Sequence, residues 1–236
     1  MTGSLANAGL IIVGSLVGAT LSKRPKIAEN KSLIQIMGSF IFLLGIQSAW
    51  TANSGTKFVV TLAATVLGAL VGELAELESR VEALTQKMER RTKSQAGDSA
   101  HPHGKRLRAF LSSSLLFCVG PMAILGALQD GLKHDPSILV SKGILDGVIS
   151  IALTASLGIG IIFSSISVLI YQGGLTLLAE SVQTLMTQPV IDGISSVGGM
   201  LLLFMGLNLI GVTKISIVNL LPSIPIGAIA AQYIWK

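Results

Sequence analysis

Apolar runs, each close to the ~20 residues that an α-helix needs to cross a bilayer, recur along the chain between short polar stretches. They predict eight transmembrane helices, with seven as the alternative count. The first three cover about 5–21, 33–50, and the end of the polar loop Thr51 to Lys57 up to Gly72. The others cover about 107–128, 144–162, 164–178, 194–212 and 215–235. Alternation at period two is absent, so the class is an all-α polytopic membrane protein and not a membrane barrel. The layout reads as one membrane domain: a three-helix unit (5–72), a connector (73–106), a central helix pair (107–163) and a second three-helix unit (164–236).

The polar residues between the spans set the expected orientation. Lys23, Arg24, Lys26 and Lys31 follow the first span, whereas no Lys or Arg precedes it. A cleaved signal peptide has the reverse order, so the first helix is expected to be retained with its N-terminus outside. Beyond the third span, Leu74, Leu77, Val81, Leu84 and Met88 recur at steps of three and four, with charges between them. That is a short heptad-like pattern, which serves either a two-turn coiled coil or an amphipathic extension of the third helix lying on a surface. Arg80, Lys87, Arg90, Arg91, Lys93, Lys105, Arg106 and Arg108 make the connector basic and therefore cytoplasmic. Lys214 falls on the same side. Eight crossings then put both termini outside the cytoplasm.

Half of the residues are hydrophobic and 12% are charged, too few for the surface of a soluble domain of this length. The net charge of +5 sits beside apolar spans, which suits anionic lipid headgroups and not nucleic acid. The single cysteine, Cys118, excludes an internal disulfide and a Cys-based metal site. His101 and His103 have no acid or Cys cluster beside them and read as a loop, so no metal or cofactor is expected. No nucleophile motif or phosphate loop is present, so the chain does not read as an enzyme.

The first and last three spans can be laid on one another. Asn7-Ala8-Gly9-Leu10 matches Gln172-Gly173-Gly174-Leu175. Gly38 through Gly45-Ile46-Gln47 matches Gly199 through Gly206-Leu207-Asn208, with equal glycine spacing. Leu67-Gly68-Ala69-Leu70 matches Ile226-Gly227-Ala228-Ile229. With eight crossings each matched pair runs in opposite directions, which predicts an inverted-topology repeat around the central helix pair.

Polar residues inside apolar spans are the candidate site. Asn7, Gln47, Gln172 and Asn208 are amides, each offering a donor and an acceptor to a solute or to a neighbouring helix. Gly120-Pro121 must bend or unwind the fourth span, because proline lacks an N–H and clashes with the preceding turn. The carbonyls so freed need partners, which a solute or the bundle supplies. Asp130, in Gln129-Asp130-Gly131, sits at the outer end of that span. Asp146 is expected about one turn inside the fifth span, with Lys142 four residues earlier on the same face. An intramembrane acid serves ion or proton coupling, or it is an interfacial charge favoured by the helix dipole.

The blocks FLSSSLLFCVGPMAILGALQDGL, KGILDGVIS, ASLGIGIIFSSISVLIYQGGLTLLAE and SSVGGMLLLFMGLNLIGVTKISIVNLLPSI, with Asn7 and the Gly14–Gly18 run, resemble a bacterial integral membrane protein family known as domain of unknown function 554. The resemblance covers most of the chain and is weakest from Glu76 to Lys105. It implies an inner-membrane protein of seven or eight helices and names no substrate. The function expected from the residues is a small secondary transporter of an ion or small polar solute, bound near the bilayer midplane between the repeats. The alternatives are an ion or solute channel, arranged as a homo-oligomer, and a non-transporting assembly or sensor partner. The bilayer is a partner in every case.

Overall fold

A computed structural model describes residues 1–22, 31–81, 83, 103–119 and 121–235. The basic residues Lys23, Arg24 and Lys26, the heptad positions Leu84 and Met88, the basic residues from Lys87 to Lys93, His101 and Gly120 lie outside that set. The described residues are helical, with no strand among them. The helices are α1 (Thr2–Ser22), α2 (Lys31–Ala49), α3 (Gly55–Leu74), α4 (His103–Cys118), α5 (Pro121–Lys133) and α6 (Ser137–Leu157). They continue with α7 (Ser164–Leu177), α8 (Ala179–Val182), α9 (Gln188–Ile210), α10 (Ile217–Leu220) and α11 (Ser223–Ile234).

Among the described residues, seven helical stretches are long and apolar enough to cross a membrane. An eighth is the pair α4–α5, which is bent by 61° between Cys118 and Met122. The chain is a helical membrane protein, and its burial pattern shows why. α1 turns Leu5, Val13 and Leu16 outward and buries Gly3, Ser4, Asn7, Gly14, Ser15 and Gly18. Lipid tails are as apolar as leucine, so large apolar side chains gain little by leaving them. Small residues go inward because they let backbones approach and form dispersion contacts.

Glycines set which helices touch. A Cβ on Gly14 would lie 2.2 Å from the Gly147 carbonyl oxygen, and one on Gly18 would lie 2.4 Å from that of Ile151. α1 and α6 therefore run in the same direction at backbone contact. Between α2 and α9 the order is reversed: Gly38 faces Gly206 and Gly45 faces Gly199. α3 meets α11 and α10 in the same reversed sense, with Gly68 against Ser223 and Gly72 against Asn219. Ile11, Ile41, Phe117, Leu153, Val168 and Leu202 join these contacts in one buried cluster.

Several expected boundaries move. The fifth span begins at Ser137 and not near Ile144, because Asp135 accepts a hydrogen bond from the Ser137 N–H at 3.0 Å and starts the helix there. Gly158, at φ 94°, ends it at Leu157. The third helix does not run straight on into the connector. It stops at Leu74, turns through Glu76 at φ 50°, and helix resumes over 77–81. The seventh span starts earlier than expected, at Gln188, with Pro189 in its first turn. The last span is broken at Leu221-Pro222 into α10 and α11.

Candidate functional site

The early start of α6 changes the meaning of Asp146. It lies nine residues into a 21-residue helix, about 14 Å along the axis at 1.5 Å per residue. That is near the middle of a span and not at its edge. Lys142 and Asp146 are 6% and 5% exposed. The ammonium donates to Asp146 Oδ2 in an i,i+4 ion pair. Each ion satisfies the charge that its burial would otherwise leave uncompensated. Ser150, one turn on, returns its hydroxyl to the Asp146 carbonyl at 2.7 Å.

α1 carries Asn7 to this place because Gly143 leaves room for it. A Cβ there would lie 2.9 Å from the Asn7 Cα. Asn7 is fully buried and faces the Asp146 carboxylate. Asn7 Nδ2 also donates to Oε1 of Gln172 on α7 at 3.1 Å. Gln172 is fully buried as well. One turn towards the start of α1, the hydroxyls of Ser4 and Thr176 lie 3.2 Å apart. Above them Asp130 of α5, 2% exposed, accepts from the Gly3 N–H at 3.1 Å and lies 3.1 Å from the Met1 amine.

The column has atoms to spare. Asn7 Oδ1, Gln172 Nε2, Ser15 Oγ and Thr154 Oγ1 are buried with no hydrogen-bond partner. An unmade hydrogen bond of this kind costs roughly 1–3 kcal/mol; among the described residues a fifth such atom, Trp235 Nε1, lies away from this column. The break between α4 and α5 reaches the same centre. Cys118, the last residue of α4, comes within electrostatic reach of Lys142 and Asp146, and Val119 packs on Gly198 of α9.

The structure thus brings Asn7, Gln172, Lys142 and Asp146 together, with Asp130 at the outer end of the column and Pro121 opening the helix beyond Cys118. It does not bring Gln47 and Asn208 to them. Gln47 is exposed near the end of α2. Asn208 closes its own helix: Oδ1 accepts from Thr213 Oγ1 at 2.7 Å and Ile215 N at 3.0 Å, while Nδ2 donates to the Ile215 carbonyl at 2.7 Å. Reversed packing of α2 on α9 puts these two amides at opposite ends of the helix pair. Sequence reasoning missed Ser4 and Thr176. Their spacing was a usable signal, since each lies one helical turn from a matched amide.

A model of the family described as Protein of unknown function (DUF554) matches residues 2–232. The chain is 32% identical to the "Uncharacterized membrane protein YdfK" of Bacillus subtilis (strain 168), over 95% of this chain and 93% of that protein. It is also 32% identical to the "Uncharacterized protein YqgA" of Escherichia coli (strain K12), over 94% of this chain and 92% of that protein. No solved structure matches.

Proposed function

The chain belongs to that family, Protein of unknown function (DUF554), and from this premise we propose that it is a small secondary transporter of an ion or small polar solute. The observation that carries the reading is the buried quartet of Asn7, Gln172, Lys142 and Asp146, with one unpartnered atom on each amide. Ionisable residues at mid-membrane depth are costly and mark solute or ion paths.

The transporter is built as an inverted repeat. Support comes from the glycines: the matched pairs Gly38/Gly199 and Gly45/Gly206 touch in exchanged order, Gly38 on Gly206 and Gly199 on Gly45. A two-fold axis lying between α2 and α9 in the membrane plane produces this exchange. The matched amides Asn7 and Gln172 bond to each other, as groups beside the same axis would. Alternating access is rocking of one repeat against the other about that axis. The protein sits in the bacterial inner membrane with both termini outside the cytoplasm, in keeping with the basic connector.

The test is ligand-dependent stabilisation of the detergent-purified protein, screened over cations, anions, amino acids and neutral polar solutes. A ligand at a hundredfold excess over Kd stabilises by roughly 2.7 kcal/mol. The expected result is a hit that is lost in Asn7→Ala and altered in Asp146→Asn, followed by flux of that ligand in liposomes. A hit unaffected by both variants, or no flux of any solute by folded protein, sinks the reading.

A further inference from the structure

The charges and the unpartnered atoms of this site together specify its cargo, and the argument rests on the transport reading above. In the arrangement seen, the Lys142–Asp146 pair is neutral as a unit and buried. A metal cation entering here would have to displace the Lys142 ammonium from Asp146. With Lys142 still protonated it would leave an uncompensated positive charge in a buried site. An anion alone fails for the mirror reason, because Asp146 already occupies the ammonium. A combination that keeps the site neutral is a proton on Asp146 and a monoanion on Lys142.

The two unpartnered amide atoms fit that combination. A proton taken from water forms an O–H bond on the Asp146 carboxyl and ends its role as acceptor for Lys142. The new O–H needs an acceptor; Asn7 turns its amide N–H to Asp146 in the ion-paired state and carries an unused acceptor in Oδ1, which a turn of that amide would present to the new O–H. The released ammonium of Lys142 and the unused Nε2–H of Gln172 are then both donors. The hydroxyls of Ser4 and Thr176 lie one turn away and can turn their protons the same way. Lys142 and Gln172 then present charged and neutral donors together, which suits an anion. We propose that the protein moves a small monoanion together with one proton, electroneutrally, with Asp146 as the proton carrier and Lys142 with Gln172 as the anion contacts. On the far side the anion leaves, Asp146 returns its proton to water, and the ion pair with Lys142 re-forms. The titratable side chain that faces Asp146 from another element is Cys118 of α4, with Tyr171 of α7 beyond it.

The experiment uses the full chain in liposomes of phosphatidylethanolamine and phosphatidylglycerol with a pH dye inside, and gradients of chloride, nitrate or lactate. The expected result is acidification of the lumen driven by an inward gradient of at least one of them. Its rate should not change when potassium and valinomycin clamp the voltage. In detergent, the apparent affinity for that anion rises about tenfold for each unit by which pH falls, as one proton per anion requires. Asp146→Asn abolishes proton uptake and flattens the pH dependence while still binding the anion, because its amide can donate to Asn7 Oδ1. Gln172→Leu weakens the anion by roughly tenfold or more. Flux of a cation or a neutral solute with no anion-driven acidification overturns this proposal and leaves the transporter reading standing. Absence of flux for every solute, from protein that is monodisperse and cooperatively folded, overturns both.

Discussion

Asn7 and Gln172 donate and accept across α1 and α7 at 3.1 Å, and each keeps one amide atom without a partner. Were the pair only a bolt between helices, replacing both residues by apolar ones of similar size would be nearly neutral, whereas removing one leaves the other stranded at about 1–3 kcal/mol. Asn7→Leu and Gln172→Leu are each expected to destabilise by that amount, and the double variant by less than the sum of the two. Unfolding in detergent for the four proteins of the cycle measures it. Transport should be lost in all three variants, the stable double included. Flux retained in the double variant would reduce the pair to a structural bond.

Much of this arrangement was legible in the sequence and some was not. The matched blocks Asn7–Leu10 and Gln172–Leu175 hold the residues that meet, because small residues and amides are what lets antiparallel helices touch in lipid. Gln47 and Asn208 passed the same sequence test and do something else. The reason is local: Asn208 lies three residues before Gly211, whose φ of 92° ends α9, and an amide near a helix end is drawn into capping it. Asp146 was placed too shallow because the fifth span was started near Ile144, whereas the helix begins at Ser137. The pair is buried together, so the charge that marks a membrane edge in sequence here marks its middle. The turn at Glu76 left no sequence signal, since a glutamate at positive φ breaks the usual glycine preference.

Glycine contacts give a sharp contrast. Gly14 faces a carbonyl oxygen that belongs to a helix backbone and cannot rotate away. Gly14→Ala must push α1 off α6, which for overpacking costs typically about 1–3 kcal/mol. Gly9, on the same helix, has nothing within 4 Å of an added Cβ. Gly9→Ala should be neutral or stabilising, by up to about 1 kcal/mol of helix propensity. Melting temperatures of the two variants in one detergent test the assignment, and equal losses would show that the α1–α6 contact is not glycine-limited.

Asp135 gives a pH dependence with a definite sign. It lies in the connection between α5 and α6, and its carboxyl is held below the usual value of 3.8, first by the Ser137 backbone N–H, then by the Ser137 hydroxyl and by Gln129. A carboxyl lowered on folding stabilises the protein above its unfolded value, and the contribution is lost as pH falls through the folded one. The window therefore lies below about pH 4. Asp135→Asn keeps an acceptor for Ser137 but not the charge. The melting-temperature gap between native and variant protein should be constant from pH 7 to pH 5 and should close on further acidification. A gap that stays constant down to pH 3 would mean that the charge contributes nothing to the start of α6.

The helix over 77–81 is tied to α10 through Asn219. Asn219 Nδ2 donates to Glu73 Oε2 at 2.6 Å, and its Oδ1 accepts from the Glu78 N–H at 2.9 Å. The tie is possible because Gly72 lets α10 come to backbone contact, where a Cβ would lie 1.9 Å from the Asn219 carbonyl oxygen. One side chain thus satisfies an orphan N–H at the start of the resumed helix and holds the acid at the end of α3. Asn219→Ala removes both bonds, each worth about 1 kcal/mol and more where a charge takes part. Amide exchange over 77–81 should then accelerate by roughly tenfold or more, since about 1.4 kcal/mol is a factor of ten. Cleavage by trypsin after Arg80 should speed up with it. If the second repeat steers this helix during rocking, transport should slow in the same variant while ligand stabilisation is unchanged, because Asn219 is remote from the Asn7–Asp146 centre. Exchange that is unaltered would show that the helix is held by its apolar face, and that Leu77 and Val81 are the residues to change next.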